Sequence, residues 1–224
     1  MTSNRTIYLI RHGETEWNLQ KRLQGGKDSP LTERGRKQAE AVAKSLKQDP
    51  PVLLFASPLD RAKKTAKTIA KGYGIDVRTD DRLAELRCGQ AEGMTFADID
   101  ERWPDLRERR ERDKWRVPWP EGESYRDVDE RLTAFLNETF LPLLHDEGAG
   151  PWGVVGHETM NMILLGRFLD LDPSMVTKLG QPNHVIYRLE GRTIEHAYLG
   201  DNYLEWLPGA VQKRSGDVIL LNVA

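Results

Sequence analysis

Short, nearly continuous apolar runs alternate along this chain with longer stretches whose apolar residues recur at helical spacing. The runs are Thr6–Ile10 (TIYLI), Val52–Ala56 (VLLFA) and Gly153–Val155 (GVV). They lack the polar alternation of a half-exposed strand, so they predict strands buried on both faces. A later pair, Val185–Leu189 and Thr193–Leu199, flanks Glu190-Gly191-Arg192 and predicts a hairpin. Thr32 is placed to cap a helix over Glu33–Lys47, and the Ala- and Lys-rich stretch Arg61–Lys71 predicts another. Ser124, with Asp127 three residues on, resembles a capping box ahead of a helix over Val128–His145, which Pro142 should bend or shorten. Thr159–Leu169 is apolar nearly all round, the pattern of a buried helix.

Strands alternating with helices predict an α/β fold with a mostly parallel central sheet flanked by helices on both faces. The stretch from Thr95 to Pro120 interrupts the alternation. Its Trp103-Pro104 and Val117-Pro118-Trp119-Pro120 punctuation predicts a small inserted lid over the sheet's edge. Within it, Arg102 to Arg116 mixes basic and acidic residues at three- and four-residue spacings, which reads first as a solvated helix and second as a substrate-facing lid. With no internal repeat or low-complexity linker, residues 1–224 read as one domain.

Composition narrows the classes. A 38% hydrophobic and 30% charged chain of 224 residues is ordinary for a soluble globular protein. No apolar run is long enough for a signal peptide or a membrane span. A single cysteine, Cys88, excludes an intrachain disulfide, so the expectation is a cytoplasmic protein. The formal net charge of −2 offers no global basic surface, so neither nucleic acid nor membrane is an expected partner. The apolar tail Val218–Val223 (VILLNV) should pack on the domain or, as the alternative, at a homodimer contact.

Chemistry collects after the strands. Arg11-His12-Gly13-Glu14 follows TIYLI, Ser57-Pro58-Leu59-Asp60-Arg61 follows VLLFA, and Gly156-His157-Glu158 follows GVV. Ligands of open α/β sheets bind at the carboxyl ends of strands, so two arginines and two histidines should meet there. Helix N-termini would add amide donors, which makes an anion site suited to phosphate. A neutral His12 is a competent nucleophile towards phosphorus. Arg11 and Arg61 offer permanent, planar charge to phosphate oxygens, and a protonated His157 would add another donor. Gly13 would let the backbone pass close to the ligand, and Glu85 is the first candidate to protonate the leaving oxygen. His145, His184 and His196 read as structural. No His-Glu-x-x-His or paired Cys-x-x-Cys spacing points to a metal, and Met94 stands where a cysteine phosphatase would need arginine. A glycine-rich loop ending in Lys-Ser or Lys-Thr is also absent.

Arg11-His12-Gly13-Glu14-Thr15-Glu16-Trp17-Asn18 resembles the signature of the histidine phosphatase superfamily, also called phosphoglycerate mutase-like. Arg22-Leu23-Gln24-Gly25, Asp28-Ser29-Pro30-Leu31-Thr32, Ser57 to Ala62, Glu85 to Gly89, Glu121 to Tyr125 and Val155-Gly156-His157 are similar to the same family, in its order. The resemblance implies a phosphoglycerate mutase-like fold, a metal-independent mechanism without a cofactor, and a small phosphorylated substrate. It also implies roles: His12 as nucleophile, Arg11, Arg61 and His157 holding phosphate, Asn18, Gln24 and Gly25 lining the pocket, and Glu85 as proton donor. The ending of the stretch Arg87 to Phe96, and Gly122–Tyr125, resemble the phosphatase branch more than cofactor-dependent phosphoglycerate mutases. A phosphate- or phosphoprotein-binding scaffold is the non-enzyme alternative. Gly26 stands where relatives often carry a larger side chain, implying a wider pocket, and Cys88 and Gln90 replace the commoner residues of the acid loop. Glu158 stands where that branch usually has glycine, which makes it a substrate contact and the competitor of Glu85 for the acid role.

Overall fold

The computed structural model describes residues 5–146, 150–199, 205–213 and 218–219. The elements run β1 (Ile7–Arg11), α1 (Glu16–Leu19), α2 (Glu33–Ser45), β2 (Leu53–Ala56), α3 (Asp60–Tyr73), β3 (Val77–Thr79), α4 (Phe96–Arg102), α5 (Leu106–Arg112), α6 (Tyr125–Phe135), α7 (Leu141–Asp146), β4 (Trp152–Gly156), α8 (Glu158–Leu169) and α9 (Pro173–Val176). They close with β5 (Val185–Glu190), β6 (Thr193–Tyr198) and the short strands β7 (Leu207–Pro208), β8 (Ala210–Val211) and β9 (Val218–Ile219). Among the described residues the main sheet has the order β3-β2-β4-β1-β5-β6-β7. The four strands from β3 to β1 are parallel, and β5 adds on antiparallel to β1.

The buried runs behave as their composition requires. Ile7, Leu9, Leu53, Phe55, Trp152 and Val154 point to one face, where they pack with residues of α6 and α8. Their neighbours Tyr8, Ile10, Leu54, Ala56 and Val155 point to the other, against α2 and α3. Period-two alternation therefore feeds two apolar layers at once, and every position of Ile7–Ile10 and Leu53–Ala56 must be apolar. The connection from β1 thus leaves towards α2 on one face, while the connection from its neighbour β4 leaves towards α8 on the other. Adjacent strands whose connections part in opposite directions open a crevice at their carboxyl ends, the switch point where ligands bind.

Several expectations are sharpened. Strand β3 was too short and polar to be read from the sequence; it is an exposed edge. The helix expected over Val128–His145 begins at Tyr125, capped by the Ser124–Asp127 box, and is not continuous. Residues Leu136–Phe140 form a π-helical turn just before Pro142. Proline has no N–H to donate, and its ring crowds the carbonyl four residues back, so the ladder widens there. The basic run Arg102 to Arg116 is also not one helix, because Trp103-Pro104 separates α4 from α5. Of the tail, β9 pairs with β8, while residues 220–223 and the His145 side chain lie outside the described residues.

Candidate active site

The crevice between β1 and β4 is built first by backbone. The His12 N–H donates to the Gly156 carbonyl at 2.9 Å, so the parallel ladder runs one residue past β1. Asn183 Nδ2 donates to the His12 carbonyl at 2.7 Å, and Thr65 Oγ1 accepts the Gly13 N–H at 3.1 Å. A Cβ on Gly13 would stand 2.2 Å from the Gly35 carbonyl oxygen, so this glycine lets the loop cross α2. That corrects the expectation that Gly13 clears space for a ligand.

His12 is 2% exposed. Its Nδ1 lies 2.8 Å from the Gly13 carbonyl, which can only accept, so Nδ1 carries the proton and Nε2 keeps its lone pair. Burial first, then the charges of Arg61 and Arg11, hold its pKa well below the usual imidazole range. The His157 ring lies 5.2 Å from that of His12, centroid to centroid. Its Nε2 is 2.7 Å from Ser57 Oγ, and Ser57 already accepts the Leu59 N–H. The Ser57 hydroxyl can give its proton to Nε2, and in that tautomer the imidazole proton sits on Nδ1. Burial and then Arg61 hold the pKa of His157 well below the usual imidazole range too.

Arg61 opens α3 and is 1% exposed. Its guanidinium donates to the carbonyls of Gly25 (2.8 Å) and Lys27 (2.7 Å) and to Asp28 Oδ1 (3.1 Å). Asp28 also accepts the Asp60 and Arg61 N–H groups, fastening loop 25–28 to the start of α3. Arg11 donates to Glu158 Oε2 (2.9 Å) and to the Gln181 carbonyl (2.7 Å). With these bonds made, Arg11 Nε, Arg61 Nε and His157 Nδ1 remain buried donors without a partner among the described residues. Each unmet donor costs about 1–3 kcal/mol, and a tetrahedral oxyanion is the chemistry that would satisfy all three.

A cavity of about 240 Å³ opens over His12, Arg11 and Arg61. Asn18, Gln24, Gly25, Glu85 and Glu158 line it as expected from the sequence. Asn18 is also used locally, its Oδ1 accepting the Thr15 N–H in the capping box of α1. Gly25 sits at φ +55°, and a Cβ there would meet Glu92 Oε1 at 2.4 Å. Gly26 is not part of the wall: its N–H donates to Glu92 Oε1 at 2.7 Å, so the expected widening of the pocket at that position is not found.

The two carboxyl candidates are held differently. Glu85 accepts the N–H groups of Leu86 (2.8 Å), Thr159 (3.3 Å) and Met160 (3.2 Å), which fixes it over the N-terminus of α8. Burial raises the pKa of Glu158, but Lys213 and Arg11 outweigh burial and hold it below the usual carboxylate range. Lys213 Nζ lies 3.3 Å from Glu158 Oε1. Glu158 is therefore ionised, which argues against its role as a proton donor.

The lid forms the outer wall through Phe96, Arg107, Arg110, Lys114 and Trp119. Arg110 is 5% exposed, stacks 4.2 Å over the Trp119 ring, donates to the Val117 carbonyl, and has no carboxylate partner among the described residues. Arg109 and Arg112 are exposed and turn away. Sequence reasoning did not single out Ser57, Asp28, Arg110 or Lys213. The first two stood inside quoted motifs, whereas nothing local distinguishes the last two from surface cations. His196 is fully buried with Nδ1 on the Gly209 carbonyl, and His184 is exposed against Tyr198; both lie apart from the cavity.

Comparison with known proteins agrees with this geometry. The model of the histidine phosphatase superfamily (branch 1) matches residues 7–199. The probable phosphoglycerate mutase GpmB of Cronobacter sakazakii is 34% identical over 95% of this chain and 93% of its own. A solved mycobacterial glucosyl-3-phosphoglycerate phosphatase in complex with VO3 is 31% identical, with a TM-score of 0.76 over 89% of this chain and 99% of its own. With the family match running from the first residue of β1 to the residue after β6, the chain belongs to the histidine phosphatase superfamily, branch 1.

Proposed function

We propose that this enzyme is a phosphatase that hydrolyses small phosphate monoesters through a phosphohistidine at His12, without a metal. The observation that carries the reading is the set of unmet buried donors, Arg11 Nε, Arg61 Nε and His157 Nδ1, around a neutral His12 whose Nε2 lone pair is free. In the first step Nε2 attacks phosphorus, the ester P–O bond breaks, and the leaving oxygen takes a proton from Glu85. Water then attacks the phosphohistidine, returns a proton to Glu85 and frees inorganic phosphate and neutral His12. Arg11 and Arg61 meet the charge that spreads over the equatorial oxygens.

Arg110 supports a narrower substrate class. A guanidinium buried in a cavity wall with no carboxylate in an ion pair with it is costly unless an anion arrives to meet it. The preferred substrate would then carry a second anionic group, a carboxylate or a further phosphate, on the lid side. The mycobacterial neighbour is named for a phosphoglycerate ester, which is a molecule of that kind.

The name of the Cronobacter relative favours a second reading, in which the phosphoryl group passes to another hydroxyl of the bound molecule and not to water. One assay separates the two. The enzyme is given 3-phosphoglycerate and a panel of sugar and acid phosphates, with release of inorganic phosphate and formation of 2-phosphoglycerate both followed. Phosphate release from the panel without isomerisation supports the phosphatase. Isomerisation faster than release would overturn it, and retention of acid-labile label on His12→Ala would sink the phosphohistidine.

A further inference from the structure

Glu158 poses an electrostatic problem, because a carboxylate on the wall of the cavity repels the phosphate that Arg11, its hydrogen-bonded neighbour, should attract. The chain answers it from far along the sequence. After β8, the Gly180 N–H donates to the Val211 carbonyl at 2.9 Å and the Lys213 N–H donates to the Lys178 carbonyl at 2.8 Å. This zipper lays the segment along loop 178–181, the same loop whose Gln181 carbonyl accepts from Arg11. Lys213 therefore arrives on the opposite oxygen of Glu158 from Arg11, 3.3 Å from Oε1 while Arg11 is 2.9 Å from Oε2. Both residues of the Glu158–Lys213 pair line the same cavity as His12. Their side chains keep 21% and 35% of their accessible surface, so the pair is screened only in part.

We propose that Lys213 is part of the phosphate site, as the counter-charge that cancels Glu158 and leaves Arg11 its full attraction for the phosphate. The proposal rests on the reading of the cavity as a phosphate site. Arg11, Glu158 and Lys213 together carry one net positive charge; without Lys213 they carry none. Glu158 is faced by Arg11 from β1, Lys213 after β8, Lys114 after α5 and Tyr187 from β5, with Glu85 on the same helix start and Tyr125 near Lys213. Lys114 is already paired with Glu111 at 3.1 Å, so it does not replace Lys213. Lys213 acts through Glu158 and Arg11; it is a positioning and charge-balancing residue, not a catalytic one.

The test is inorganic phosphate binding to the full chain by titration calorimetry between pH 5 and 8. At pH 7.5, Lys213→Met should weaken binding about tenfold or more, since at an effective dielectric of about 20 one unit charge is still worth a factor of about ten from about 12 Å away. The loss should shrink as pH falls, because Glu158 freed from Lys213 takes up a proton at a higher pH than in wild type. Sulfate, whose charge is constant from pH 5 to 8, is titrated in parallel and separates this effect from the titration of phosphate itself. Lys213→Arg should bind like wild type. Glu158→Gln should bind phosphate more tightly, and Glu158→Gln combined with Lys213→Met should return to within about threefold of wild type, since its net charge is again one. A loss in Lys213→Met that is equal at every pH and not rescued by Glu158→Gln would make Lys213 a mere strut and overturn the proposal. If that variant does not fold, an unchanged affinity in Glu158→Gln overturns it equally. Wild type that binds phosphate while Lys213→Met matches it refutes this inference alone; wild type that binds none refutes the phosphatase reading with it.

Discussion

Glu85→Gln is the sharpest test of the mechanism, because the substitution removes the transferable proton and keeps the shape of the side chain. The Glu85 carboxylate accepts three backbone N–H groups; Oε1 takes those of Leu86 and Met160, which a glutamine amide oxygen can keep, and only the 3.3 Å bond from Thr159 to Oε2 is given up. Position is thereby preserved while proton donation is lost. General acid catalysis contributes about 10²–10⁴ in rate, or about 2.7–5.4 kcal/mol at 1.36 kcal/mol per decade. The full loss should appear with alkyl phosphates, whose alkoxide must be protonated as it leaves. With p-nitrophenyl phosphate, whose leaving group needs little protonation, the rate should stay within about tenfold of wild type. The assay is kcat/KM for a series of esters of rising leaving-group pKa, in wild type, Glu85→Gln and Glu158→Gln. Glu158→Gln should shift every ester alike, since Arg11 and Lys213 keep that carboxylate ionised. If the leaving-group dependence steepens in Glu158→Gln and not in Glu85→Gln, the two residues exchange roles and the assignment is wrong.

Further outcomes follow from the same geometry. His12 and His157 are buried with pKa values held below the usual imidazole range, so below about pH 6.5 the unfolded chain binds more protons than the folded one. Their contribution is fully present above that pH and is lost as pH falls, at up to about 1.4 kcal/mol per pH unit for each imidazole; His157→Asn should flatten the acid side of a Tm-against-pH curve, and an unchanged slope would contradict the burial argument. Arg110→Met should raise KM about 10- to 150-fold for esters carrying a second anion, the worth of one charged hydrogen bond, while sparing p-nitrophenyl phosphate and leaving Tm level or higher. Arg109→Glu and Arg112→Glu, on the exposed face, should leave the substrate ranking unchanged; a re-ranking by these would place the specificity elsewhere. Turnover should survive exhaustive chelation, since the cavity's charge comes from arginine and lysine and no three His, Cys, Asp or Glu side chains among the described residues are grouped to hold a cation. Loss of activity restored by added zinc or magnesium would overturn that.

Local pattern carried much of this protein. Runs such as Tyr8–Ile10 and Leu53–Ala56 are apolar at every position because they face two layers, so a doubly covered parallel sheet was legible from them alone. The histidines and arginines stood directly after those runs, and the ends of neighbouring parallel strands must lie together. Three features were decided only by tertiary contact. Ser57, a hundred positions before His157, is the hydroxyl that meets its Nε2. Lys213 sets the charge state of Glu158, and the turn of α5 against Trp119 selects Arg110 over Arg109 to face the cavity. Hydrophobic periodicity records which side of an element is buried, because every residue of that element shares the same constraint. It holds no record of which distant oxygen or ammonium meets a given polar atom, since that depends on how separate elements dock. Proton positions and charge balance, on which catalysis turns, are therefore written in the packing and not in the pattern.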